Sequence, residues 1–380
     1  MPLGVEIHPK GRLPLHVAEM LCAVRQPAYE LLTEGDVYYA RMLRAIRGAR
    51  RHVQIMMYIW QNDRIGRLFL KALERKCRQG TQVTIVVDAI GSFDLPRNFF
   101  APVQRLGASV YMHHRWQLLS WQWLRYLIRR NHRKLLVVDD EVAFTGGFNL
   151  MREASLRHFG HGRWLDVGFV TRAQQPVWQL RRQFQNACRR ASHRRWATRL
   201  LLRSQNKVIL FSGRRAISFS MSRWLKRRLR KAHKKIVIAV PYFVPYGFYW
   251  RVLVRKLKRG VTVDIILPAR SDVAWVDQLS FFLARRLMRK GANIYLYGGD
   301  DARFSHAKFY MIDGYSGTGS ANYDYRSLVL NLDTLVFTPQ SKGAWQKVHE
   351  EMLQNSQRAA EADLNTGWIA RLLLAVRWLA

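Results

Sequence analysis

Asn131-His132-Arg133-Lys134-Leu135-Leu136-Val137-Val138-Asp139-Asp140 is followed a few residues on by Gly146-Gly147-Phe148-Asn149. Downstream the pattern returns as His306-Ala307-Lys308, then Asp313, then Gly319-Ser320-Ala321-Asn322. In both copies Lys follows His by two positions and Asp follows His by seven. The apolar runs Leu135 to Val138 and Phe309 to Ile312 read as buried strands. Side chains two apart on a strand share a face, so His and Lys of each copy point the same way. Two such pairs around one pocket supply two imidazoles and two ammonium groups. That set suits a phosphate: the lysines and Asn amides hold its oxygens while the imidazoles act on phosphorus and on the leaving group.

A single histidine beside a strand is ordinarily a core or surface residue. The doubled pattern is what singles out His132, Lys134, His306 and Lys308. Asn149 and Asn322 end the small-residue turns formed by Gly146 and Gly147 and by Gly319 and Ser320. Asp139 and Asp313 read as structural. They stand at the far end of each strand, on the opposite face by parity, and are expected to bond backbone or a basic side chain.

The chain has 380 residues, enough for two lobes with a sizeable core each. A hydrophobic fraction of 49% with 13 Trp excludes a disordered chain. Lys+Arg number 63 against 26 Asp+Glu, a net charge of +37, which implies a polyanionic partner: an anionic membrane surface or nucleic acid. Cys22, Cys77 and Cys188 form neither a disulfide framework nor a CxxC metal signature, which favours a reducing compartment. Met1 to Arg25 has no continuous apolar stretch of signal-peptide type, and no apolar run reaches 18 residues, so no transmembrane helix is expected.

Strands at His52–Trp60, Gln82–Ala89 and Ser109–Met112 alternate with helices at Asp36–Arg47, Ile65–Arg78 and Phe99–Leu106. The order recurs with strands at Lys235–Phe243, Val261–Pro268 and Asn293–Tyr297. The alternation predicts an α/β fold of two similar lobes, each a mainly parallel sheet flanked by helices. The expected division is an irregular lead-in over 1–28, lobes over 29–195 and 196–365, and an amphipathic segment over 366–380. Tyr58 aligns with Tyr242 and Ala108 with Ala292 at one common spacing, whereas the two motif histidines lie some ten residues closer. The extra residues of the first half fall in the Trp-rich stretch after His114, with Trp116, Trp121 and Trp123. That stretch reads either as a core helix or as a membrane-contacting segment at the pocket mouth; its position favours the second. The C-terminal segment, with Trp368 and Trp378, reads as an interfacial helix or as terminal packing.

The doubled His-x-Lys-x4-Asp followed by Gly-Gly/Ser-x-Asn resembles the phospholipase D superfamily. Pro241-Tyr242-Phe243-Val244-Pro245 and Asp324-Tyr325-Arg326-Ser327-Leu328, with Asn331, resemble bacterial cardiolipin synthases, here of a kind without N-terminal membrane spans. The likeness runs from about Leu31 to about Val348. It implies a pseudo-dimer with the active site between the lobes, no metal and no cofactor. It also implies transfer of a phosphatidyl group to phosphatidylglycerol or another alcohol through a phosphohistidine. His132 is then the nucleophile and His306 the acid and base, with Lys134, Lys308, Asn149 and Asn322 on the phosphate oxygens. Asp166 and Asp333 stand where the family has the acids that orient the histidines. The implied place is peripheral, on the cytoplasmic face of the cell membrane, against anionic phospholipid.

Three departures from the family pattern matter. Asp333 replaces the commoner Glu, which shortens its reach. Gly147 replaces the usual Ser, which is expected to remove a phosphate hydrogen bond. The second turn is one residue shorter between Asp313 and Gly319 than the first between Asp139 and Gly146. Two other readings stand beside the transferase: a phosphodiesterase hydrolysing phospholipid or nucleic acid, and a nucleic-acid-binding protein with a degenerate site. Intact His, Lys and Asn in both copies weigh against degeneration, and no nucleic-acid-reading motif is present.

Overall fold

The computed structural model describes residues 28–113, 129–192, 207–212, 215–298, 303–339, 342–364, 366–367 and 370. The lead-in lies outside the described residues but for Ala28, and so do Trp116, Trp121, Trp123, Trp368 and Trp378.

Strands β1 (Tyr29–Leu32), β2 (His52–Met57), β3 (Gln82–Asp88), β4 (Ser109–His113), β5 (Leu135–Val138), β6 (Val142–Gly146) and β7 (Gly168–Thr171) form one sheet. Its order is β1-β7-β6-β5-β2-β3-β4. A second sheet holds β8 (Lys207–Ser212), β9 (Arg215–Ser220), β10 (Lys235–Ala239), β11 (Thr262–Pro268), β12 (Asn293–Tyr297), β13 (Phe309–Ile312), β14 (Tyr315–Gly319), β15 (Thr334–Thr338) and β16 (Ser356–Arg358). Its order is β16-β12-β11-β10-β13-β14-β15-β8-β9. The run β4-β3-β2-β5-β6-β7 in the first sheet thus matches β12-β11-β10-β13-β14-β15 in the second.

The lobes are α/β, but the expected mainly parallel sheet is corrected. Only β2-β3-β4 pair in parallel in the first sheet; β5, β6, β7 and β1 all join antiparallel. In the second sheet β10-β11-β12 and the β15–β8 pair are parallel, and the rest are antiparallel. The reason lies in the residues after each motif strand. Asp139 (φ 53°) and Asp140 (φ 62°) turn the chain straight back into β6, and Asp313 (φ 50°) with Gly314 does the same before β14. So short a connection forces an antiparallel neighbour, because a parallel one needs a crossover of a dozen residues. Val138 faces Val142 across the first turn while Ile312 faces Tyr315 across the second, so the one-residue length difference is a hairpin-loop difference with no effect on the register beyond it.

Alternation along the motif strands feeds two cores at once. Leu136 and Val138 enter the core of the first lobe, while Leu135 and Val137 enter a shared cluster. Tyr310 and Ile312 belong to the second lobe's own core, and Phe309 and Met311 join that same shared cluster. Val177, Leu180, Phe184 and Ala187, on one face of the helix Gln174–Ser192, complete it. The two sheets are therefore sealed together through the inward faces of the strands that carry the motifs. At ~25 cal/mol per Å² of apolar surface, burial of this kind sets the relative position of the lobes.

Candidate active site

His132 sits just before β5 and His306 just before β13, where the chain crosses from one lobe to the other. Asn131 bridges Leu332 and Leu165 bridges Ser305, each in parallel. His132 N donates to Leu332 O (3.0 Å) and Leu332 N to Arg130 O (2.8 Å). The second exchange is its counterpart: Leu165 N donates to Phe304 O and His306 N to Leu165 O, both at 2.8 Å. Leu332 and Leu165 are the residues next to Asp333 and Asp166, so these bridges carry each acid across the boundary between the lobes.

The result is a crossed pairing. His132 Nδ1 lies 3.0 Å from Asp333 Oδ1, and His306 Nδ1 lies 2.6 Å from Asp166 Oδ2. An ionised carboxylate only accepts, so Nδ1 carries the proton in each ring and Nε2 keeps the lone pair. Asp333 reaches His132 despite being one methylene shorter than Glu. Both acids are buried, Asp333 completely. Burial drives the Asp333 carboxyl up, but His132, Ser320 and Lys134 together hold it below its ordinary value.

Lys134 and Lys308 are buried beside their histidines. Lys134 Nζ donates to His132 O (2.9 Å) and lies 5.2 Å from the centre of the Tyr58 ring. Lys308 Nζ rests against His306, 2.8 Å from Nε2 and 2.9 Å from Nδ1. Burial first, then the Lys134 charge, pushes His132 down to about 4 against the opposing pull of Asp333. His306 is lowered likewise, by burial and then by Lys308. Burial and the Lys308 charge hold Lys134 well below the usual range, and burial brings Lys308 down to about 8. Each histidine feels both lysines, so the four groups share one electrostatic site. Burial and the lysine charges favour neutral imidazoles, and the negative charge of a phosphodiester would offset that bias.

The two Asn residues differ. Asn149 Oδ1 accepts Ile59 N (3.1 Å), while its buried Nδ2 has no partner among the described residues. An orphaned buried donor costs free energy unless a ligand meets it, and a phosphate oxygen would. Asn322 hydrogen-bonds Asp324, and its Oδ1 is the atom without a partner among the described residues. Burial raises Asp324 to about 7, although Ser327 N donates to it at 2.6 Å.

Asp139 and Asp313 lie away from the histidines, at the opposite ends of the motif strands. Asp139 accepts the backbone N–H groups of Arg50, Arg51 and His52 at 2.7–2.8 Å. Asp313 accepts those of His233, Lys234 and Lys235 at 3.0–3.1 Å. Gly146 has φ 142°, and a Cβ on Gly319 would fall 2.1 Å from Thr334 O, so both first turn positions require glycine. Ser320 Oγ donates to Asp333 (2.5 Å), and Thr334 N donates to Ser320 Oγ (3.1 Å). The hydroxyl absent at Gly147 is thus one that would serve the acid rather than the phosphate. Gly147 also has no room for it: a Cβ there would lie 1.9 Å from Asp166 Oδ1.

Sequence reading missed the aromatic walls and one buried ion pair. Tyr58 meets the His132 ring edge-on at 4.7 Å; Trp164 and Phe304 flank His306 at 5.6 and 5.9 Å. Asp88, at the end of β3, accepts Arg130 Nε and Asn131 N, both at 2.9 Å, and so clamps the residues that lead into His132. The alignment of Tyr58 with Tyr242 was the one signal in the sequence for the first of these.

A family model described as "Cardiolipin synthase, PLD-like domain" matches residues 42–188 and 225–356. The chain is 28% identical over 341 residues to a cardiolipin synthase of Listeria innocua, covering 86% of this chain and 68% of that protein. It is 29% identical over 356 residues to cardiolipin synthase 1 of Bacillus cereus, covering 88% and 69%. Among solved structures it is similar to phosphatidylserine synthase of Haemophilus influenzae Rd KW20, with TM-score 0.72 and 14% identity over 94% of this chain and 96% of that one. Polyphosphate kinase of Porphyromonas gingivalis is also similar, with TM-score 0.56 and 12% identity over 91% and 53%. At these identities the two structures speak for the fold.

Proposed function

This chain belongs to the cardiolipin synthase family with a phospholipase D-like domain, and from that premise we propose how its residues perform phosphatidyl transfer. It is a phosphatidyltransferase of phospholipase D type acting on phospholipid. The reading proposed here is that phosphatidylglycerol is both donor and acceptor, and cardiolipin the product.

In the first half-reaction His132 Nε2 attacks phosphorus. A phosphorus–nitrogen bond forms and the bond to the headgroup glycerol oxygen breaks, while His306, which takes a second proton on Nε2 from solvent as the phosphodiester anion binds, delivers that proton to the leaving oxygen. In the second, the headgroup hydroxyl of another phosphatidylglycerol gives its proton to His306 and attacks phosphorus, releasing His132. Asp333 steadies the charge that develops on His132, and Asp166 serves His306 in the same way. Lys134, Lys308 and the amide of Asn149 neutralise and orient the non-bridging oxygens. Asn322 joins them once it turns from Asp324.

The observation that carries this reading is the crossed pairing of two buried histidines with two buried acids beside two lysines and an unpartnered amide donor. Among the described residues no helix is long and apolar enough to cross a membrane. The enzyme is read as working from the surface of an anionic bilayer, on its cytoplasmic side. The test is incubation with labelled phosphatidylglycerol in vesicles. Cardiolipin with free glycerol is the expected outcome; phosphatidic acid without cardiolipin would make the enzyme a hydrolase.

A further inference from the structure

We propose that the first lobe carries a bilayer-docking face beside the active-site mouth, built from a basic groove and a rim of exposed apolar side chains. It rests on the phospholipid reading above. The groove, of ≈ 550 Å³, is lined by Asn62, Asp63, Arg64, Arg67, Arg152, Arg157 and His158. Its one acid is already engaged: Asp63 caps Gly66 N (2.7 Å) and accepts Arg152 N (2.6 Å). Arg64, Arg67 and Arg157 pair with no carboxylate among the described residues, and all three are exposed. The groove therefore presents concentrated positive charge with little internal compensation.

Its place follows from the chain path. Ile59 N bonds Asn149, and Gln61 N bonds Leu150 O at 3.0 Å, so residues 59–64 adjoin the turn that carries the phosphate-facing amide. Residues 150–163 run from that turn to Trp164, which lies against His306. The groove thus opens at the same end of the sheet as the histidines.

Apolar side chains project from the same end. Leu156 and Phe159, on the short helix Leu156–Phe159, are both 42% exposed and bracket Arg157 and His158. Phe93 is 75% exposed on the loop after β3, whose Ser92 Oγ bonds Tyr58 O beside the His132 ring. In the second lobe Trp275 is 39% exposed, three residues past Asp272, which accepts the Tyr242 hydroxyl at 2.6 Å. Arginines beside exposed Leu, Phe and Trp suit one surface, where phosphates lie outside and acyl chains beneath: an anionic bilayer. Nucleic acid would match the charge but leave the apolar rim without a role.

The test uses the full chain and vesicle co-sedimentation, which needs no turnover. The triple variant Arg64→Gln, Arg67→Gln, Arg157→Gln should lose on the order of 100-fold in affinity for phosphatidylglycerol vesicles at low salt. A control removing three exposed arginines at the far end of the lobe, Arg44→Gln, Arg47→Gln, Arg172→Gln, should lose far less. Leu156→Ser with Phe159→Ser should remove the binding that survives high salt. Turnover of a monomeric short-chain phosphatidylglycerol should be unchanged in all three. Should the triple variant misfold by circular dichroism, Arg157→Gln with Phe159→Ser replaces it, both positions being exposed. Equal losses in triple variant and control would overturn the proposal. So would weakened retention of a single-stranded oligonucleotide with vesicle binding intact. A wild type that binds vesicles through this face yet makes no cardiolipin would refute the transferase reading and leave the docking face standing.

Discussion

Asp333 of the second lobe holds His132 of the first, Oδ1 to Nδ1 at 3.0 Å, although 201 positions separate them in the chain. The same exchange in reverse joins Asp166 to His306. Neither lobe supplies both members of either motif-histidine–carboxylate pair, so this site is complete only when both lobes are folded and docked.

His132→Ala is expected to abolish transfer, and trapping should place an acid-labile phosphoryl adduct on His132. Mass mapping decides between the rings. An adduct on His306 reverses the two roles, and substantial turnover by the variant removes the two-histidine mechanism.

Asp333→Asn and Asp166→Asn should each lower kcat by about 10²–10⁴-fold, the range for a positioned acid–base group. A pH profile separates this from general loss of structure. The Asp333 charge raises the His132 pKa, so its removal moves the limb belonging to His132 towards lower pH. An unmoved limb would mean the acid only packs.

Gly147→Ser restores the family's commoner residue and should nonetheless impair the enzyme. Its Cβ would fall 1.9 Å from Asp166 Oδ1 and displace the carboxylate from His306. Ser320→Ala removes the hydrogen bond to Asp333, worth ~1.5–3 kcal/mol when an ionised partner is involved, and the one its Oγ accepts from Thr334 N, but leaves the carboxylate in place. Steady-state kinetics on the two variants should therefore rank Gly147→Ser as the more damaging. The opposite ranking would show that the first turn has room to adjust.

The stability that the two motif histidines contribute should fall as the pH drops from about 6.5 towards 4, while Asp324, raised to about 7, works in the opposite direction over the same range. His132 titrates near 4 in the folded protein, below its ordinary 6.5, so the unfolded chain takes up a proton first. The neutral ring contributes fully above the unfolded value, and that contribution is lost as the pH approaches the folded one; His306 acts in the same direction. Urea unfolding at pH 7.5 and 5 measures the change, and His132→Asn should flatten the slope.

Activity should survive exhaustive chelation, since the lysines are placed to supply the positive charge, and the Asn149 amide a hydrogen bond, that a metal would otherwise provide. Loss with EDTA that a single divalent ion restores would contradict this. Mere stimulation by Mg²⁺ would not, because cations also alter anionic lipid packing.

The doubled motif determined much by itself. Residue type and spacing brought His132, Lys134, His306 and Lys308 forward, and strand parity set Asp139 and Asp313 apart from them. These are local properties, written in neighbours a few residues away. The antiparallel neighbour of each motif strand was also legible in Asp139-Asp140 and Asp313-Gly314, but the βαβ rhythm upstream masked it. Tertiary structure decided what depends on distant chain segments meeting: that each acid serves the histidine of the opposite lobe, that Ser320 bonds Asp333, and that Gly147 makes room for Asp166. It also parted the two Asn side chains, leaving Asn149 Nδ2 open and tying Asn322 to Asp324. Those outcomes follow from the shared apolar cluster between the sheets. That cluster fixes how the lobes dock, and no spacing along one strand encodes it.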